Sequence, residues 1–67
     1  MVVTQADREK ALKVIEEYNG KLDTFVNVKL QDAFDCTYRR IEYILRDLHK
    51  KNLIVFRNYR IYATGDN

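Results

Sequence analysis

Arginines stand at 39 and 40, at 46, and at 57 and 60, with tyrosines at 38, 43 and 59 among them. Guanidinium groups interleaved with phenol rings serve one kind of chemistry well. They make forked hydrogen bonds to phosphates or base edges, while the rings donate to phosphates or pack on sugars. Other chemistries find no residues. His49 is the only histidine and lies beside Lys50 and Lys51, and with no second histidine or cysteine at ligand spacing no metal site is expected. Glu16-Glu17 reads as a solvated helix face, the two glycines lie too far apart for a phosphate-binding loop, and no serine is present to act as a nucleophile. Neither a catalytic residue, nor a cofactor, nor a small-molecule substrate is expected, so the chain does not read as an enzyme. The lone Cys36 has no internal disulfide partner and reads as a small apolar turn residue rather than a redox sensor.

Most of these cations depend on one stretch, Thr37 to Leu53, which reads as a helix over about 38–51. Thr37 serves as N-cap, Asn52 takes the left-handed conformation that closes a helix, and His49, Lys50 and Lys51 complement the dipole in the last turn. Ile41, Ile44, Leu45 and Leu48 recur at the three- and four-residue spacing of one apolar stripe. That stripe faces the core. Tyr38, Arg39, Arg40, Glu42, Tyr43, Arg46 and Asp47 are left for the other side, with Tyr43 close enough to Ile44 to be partly core.

The chain has 67 residues, which suits one small domain whose core is held by packing alone. Apolar residues at 46% and charged residues at 33% place it among soluble globular proteins, and no apolar run approaches a membrane span or a signal peptide. A cytoplasmic protein is expected, nucleoid-associated when bound. The net charge of +2 is unevenly spread: residues 1–26 carry four Lys/Arg against five Asp/Glu, a net of −1, and residues 27–64 carry eight against four, a net of +4. Basic charge gathered in one part of a domain is the electrostatic footprint of nucleic-acid binding.

Thr4-Gln5-Ala6-Asp7 has the form of a helix start, and a first helix is expected over about 5–19, with Ala11, Leu12, Ile15 and Tyr18 buried, Val14 off the stripe, and Gly20 as the stop. Thr24, Phe25 and Val26 favour a short edge strand. Asn27 then reads as the N-cap of a second helix over about 28–34, and Asp35-Cys36 breaks the run. After Asn52 the pattern becomes β, and residues 53–64 read as a hairpin around Arg57-Asn58-Tyr59-Arg60 with Asn58 favoured in the turn and Tyr62 packing on the sheet. Residues 65–67 read as a frayed tail. The expected core is Leu12, Ile15, Leu30, Phe34, Ile41, Leu45, Leu48 and Leu53.

Helix, short strand, helix, turn, helix and hairpin is the order of the winged helix-turn-helix domains, and nearly the whole chain resembles that α+β family. The family's usual apolar positions fall on Leu30, Phe34, Cys36, Ile41, Leu45 and Leu48, and its Gly-Leu-Ile ending stands here as Asn52-Leu53-Ile54. Asp35 and Asn52 replace common glycines, and both residue types tolerate the left-handed region. The resemblance implies a recognition helix whose N-terminal half enters the major groove of double-stranded DNA, with the hairpin as a wing beside it. The residues that would bind are Thr37, Tyr38, Arg39, Arg40, Tyr43 and Arg46 from the helix and Arg57, Asn58, Tyr59 and Arg60 from the wing. Arginine pairs with guanine O6 and N7 in that groove.

Sequence-specific DNA binding is therefore the first expectation, as in small single-domain transcription regulators or architectural factors of bacterial, phage or plasmid type. Glu42 and Asp47 keep open a protein-docking module instead, because acids repel phosphates, and RNA binding ranks last for want of a signature. One recognition helix reads only a few base pairs, so a homodimer or a protein partner is expected on DNA. Val2, Val3 and Val14 are the candidate dimer contacts, against the alternative that Val2 and Val3 fold back on the sheet.

Overall fold

Residues 2–66 are described by the structure, a computed structural model, and they form α1 (Gln5–Glu17), α2 (Asp23–Phe34), α3 (Tyr38–Lys50), β1 (Ile54–Arg57), β2 (Arg60–Ala63) and a 3₁₀ turn (Thr64–Asp66). Three helices followed by an antiparallel hairpin make a winged helix-turn-helix layout. Among the described residues no helix is long and apolar enough to cross a membrane.

Local chemistry sets most boundaries. Thr4 and Asp7 form a reciprocal capping box at the start of α1, each backbone N–H donating to the other's side chain at 3.1 Å. The helix ends at Glu17, two residues before the expected limit, and Gly20 follows at φ +82°. A side chain there would be strained and its Cβ would come within 3.3 Å of the Tyr62 ring. Thr37 caps α3, its Oγ1 accepting from the Arg40 N–H at 3.3 Å. At the other end Asn52 lies at φ 60°, and the N–H groups of Asn52 and Leu53 close on the carbonyls of His49 and Leu48. Asp35 at φ 51° supplies the left-handed bend between α2 and α3.

The stretch after α1 departs from expectation. No strand forms at Thr24-Phe25-Val26, which are already helical, because α2 begins at Asp23 and not at residue 28. Asn27 is therefore not an N-cap: it is 3% exposed in mid-helix, its Oδ1 accepting from Gln31 Nε2 one turn on at 2.8 Å. The helix gains this extra turn because Val26 and Leu30, four apart, both bury in the core. Its N-cap, Leu22, makes no side-chain cap; the Asp23 N–H donates instead to the Tyr59 carbonyl at 2.7 Å. What survives of the edge strand is a single bridge, Leu22 to Arg60, flanked by bonds from the Gly20 N–H to Ile61 and from the Ile61 N–H to Lys21.

The hairpin pairs Ile54 with Ala63 through Arg57 with Arg60, so its loop is only Asn58-Tyr59, both at positive φ. Two left-handed residues in a two-residue loop match the right-handed strand twist. Ile54, Ile61 and Ala63 face the helices and complete a core with Ala11, Ile15, Val26, Leu30, Ile41, Ile44, Leu45 and Leu48. Each large side chain so buried contributes about 1.5–3 kcal/mol. Leu12, Phe34 and Leu53, expected inside, are only partly buried and pack against this cluster. The tail expected over 65–67 is partly ordered by the 3₁₀ turn, and Asn67 lies outside the described residues.

Candidate nucleic-acid interface

Two ion pairs tie α1 to α3 and decide which charges α3 can offer. Arg8 Nε donates to Asp47 Oδ2 at 2.7 Å, and Arg40 Nη2 donates to Asp7 Oδ2 at 3.2 Å. The same two arginines hold the N-terminal segment, Arg8 through the Val3 carbonyl at 3.1 Å and Arg40 through the Val2 carbonyl at 3.4 Å. Bonds from the Thr4 backbone and hydroxyl-linked cap, aided by Arg40 and Lys10 and opposed by partial burial, hold the Asp7 carboxyl below its ordinary 3.8. The Arg8 hydrogen bond does the same for Asp47, with smaller help from Lys51 and Lys50.

Arg40 and Asp47 are thus turned toward α1, although both were expected on the outer face. Arg40 is partly buried, and its Nη1 is shut from solvent with no hydrogen-bond partner among the described residues. Helical spacing had left both residues off the apolar stripe, but the border they occupy is covered by the N-terminal turn of α1. Of the valines expected between two copies, Val3 and Val14 pack on this chain's own core, and Val2 is 78% exposed.

The remaining residues of α3 share one open face. Arg39, Glu42, Tyr43 and Arg46 line a shallow depression, and Tyr43 and Arg46 continue with Asp47, Lys50 and Val3 into a second. Beside them runs a groove of about 270 Å³ between α3, the start of α2 and the wing, lined by Asp23, Thr24, Asn27, Tyr38, Glu42, Leu45, Arg46, His49 and Phe56. Enclosing small-molecule sites usually measure about 300–1,000 Å³, so this open groove has the form of a surface to lie against. His49 meets Phe56 edge to face at 5.2 Å, which fixes β1 to the C-terminal half of α3.

The wing divides its residues. Arg57 lies 6.0 Å above the Tyr62 ring, and Asn58 and Tyr59 form the exposed tip, Tyr59 being 80% exposed. Arg60 is on the far edge, where its Nη1 donates to the Gly20 carbonyl at 2.9 Å and its neighbours are Lys21, Leu22 and Phe25. Thr37 is exposed, but its hydroxyl is used by the cap. The structure therefore brings together Tyr38, Arg39, Tyr43 and Arg46, sets Arg57, Asn58 and Tyr59 on the wing, and sets Arg40 and Arg60 apart.

Sequence reasoning missed Lys50, His49, Phe56, Asp23 and Asn27 as members of these surfaces. Lys50 was reachable, since it follows Tyr43 and Arg46 at helical spacing. The others join through packing between elements, for which the sequence carries no local signal. Cys36 is partly buried and packs against the core as a free thiol. Among the described residues no three His, Cys, Asp or Glu side chains are grouped to hold a metal ion. Compared with protein-family models, with curated proteins and with solved structures, the chain finds no match.

Proposed function

We propose that this domain belongs with the winged-helix DNA-binding proteins and binds double-stranded DNA in a sequence-dependent way, α3 lying in the major groove and the wing tip on the flanking backbone. The observation that carries the reading is the charge left exposed on α3. With Asp47 at its border paired to Arg8 and Arg40 paired to Asp7, the open face presents Arg39, Arg46 and Lys50 with Tyr38 and Tyr43, and Glu42 is its one acid without an ion pair among the described residues. A helix of this diameter fits the groove, and guanidinium groups there read guanine. A transcriptional or architectural role follows from such a module, with a second copy or a protein partner supplying the rest of the specificity.

Asp23 and Glu42 both line the groove between α3 and the wing, and this favours as second reading a protein segment docked along it. Fluorescence anisotropy on mixed-sequence duplexes over a range of salt separates the two. Four exposed cations, Arg39, Arg46, Lys50 and Arg57, would set a ceiling of about −3.6 on the log–log slope if all met phosphate, and about −2 to −3 is expected with the α3 arginines on base edges. Affinity that ignores salt, or no binding at low salt, would sink the DNA reading.

A further inference from the structure

Resting on that reading, we infer that Glu42 is the specificity residue of α3, and that the base pair beneath it is read through the exocyclic amino group of a cytosine. Of the two acids first assigned to the outer face of α3, Asp47 is neutralised by Arg8 at 2.7 Å. Glu42 is not. It is exposed, it lines both the depression with Arg39, Tyr43 and Arg46 and the adjoining groove with Tyr38 and His49, and it forms no ion pair with either arginine among the described residues. A free carboxylate between two cations on a helix in the major groove has few acceptable neighbours. Phosphate repels it, as do the acceptor atoms of guanine and thymine and the N7 acceptor beside the adenine N6 donor, whereas the cytosine N4 amino group is a donor that Glu accepts from. Arg39 and Arg46 are seven residues apart, about 10 Å along the axis, which spans about three base pairs. Glu42 sits between them, so the core site is a C·G pair flanked by pairs whose guanines meet the arginines.

Binding selection from a randomised duplex library, with wild type, Glu42→Gln and Glu42→Ala run in parallel, tests this. The wild type is expected to prefer cytosine at one position by about 5- to 100-fold over the other bases. Glu42→Gln should move that position toward adenine, whose N6 and N7 suit an amide, and Glu42→Ala should flatten it while the flanking guanines persist. If both variants keep the wild-type base ranking and only bind all duplexes more tightly, Glu42 is a solvated acid and the inference is overturned with DNA binding intact. If the wild type selects no duplex and shows no salt-dependent affinity, the proposed function itself falls and the inference with it.

Discussion

Replacing Tyr59 by glycine is expected to raise stability and to weaken DNA binding in the same molecule. Tyr59 holds φ 63° in the loop of the hairpin, a region where a side chain other than that of Gly, Asn or Asp is strained by about 1–2 kcal/mol. Glycine relieves that strain and gives back about 0.4–1 kcal/mol through the freer unfolded chain, so a net gain of about 0.5–1 kcal/mol remains. Little packing is lost, because the side chain is 80% exposed, and the carbonyl that accepts from the Asp23 N–H is kept. For a domain of this size the gain corresponds to a rise in Tm of roughly 2–8 °C, read by circular dichroism. Anisotropy at fixed salt is expected to show weaker duplex binding, since the most exposed aromatic ring of the wing is gone. A fall in Tm would refute the strain argument. A rise in Tm with unchanged affinity would remove Tyr59 from the interface.

Leu48→Ala, which empties a fully buried site, should cost about 2–5 kcal/mol in a denaturant melt, and a melt like the wild type would misplace the α3 stripe. Arg40→Ala should lower Tm more than affinity, because Arg40 is spent on Asp7 and Val2, while Arg39→Ala and Arg46→Ala should keep Tm and each cost about 1–3 kcal/mol of discrimination at one base position in a duplex-binding titration. The carboxyls of Asp7 and Asp47 titrate below their ordinary 3.8 in the folded protein, so both stabilise above that pH, and the contribution is lost as pH falls through their lowered values. Urea midpoints should therefore be flat above about pH 5 and decline below it, with a shallower decline in Asp7→Asn and Asp47→Asn.

Elements whose signals are local were legible from residue order. Thr37 and Asn52 start and close α3, the stripe at 41, 44, 45 and 48 orients it, and Asn58 marks the wing turn. Each depends on residues within one helical turn or one hairpin loop, so composition and spacing suffice. The order of these elements gave the winged-helix layout. Tertiary structure alone decided the start of α2, because the group that receives its first N–H is the carbonyl of Tyr59, on a hairpin formed much later in the chain. It likewise decided which arginines of α3 remain exposed. Arg40 and Asp47 look like surface residues by spacing, but their partners are 33 and 39 residues away on α1, and only the packing of α1 across α3 brings them together. Helical period fixes the direction of a side chain relative to its own axis; what stands in that direction is set by how the helices cross.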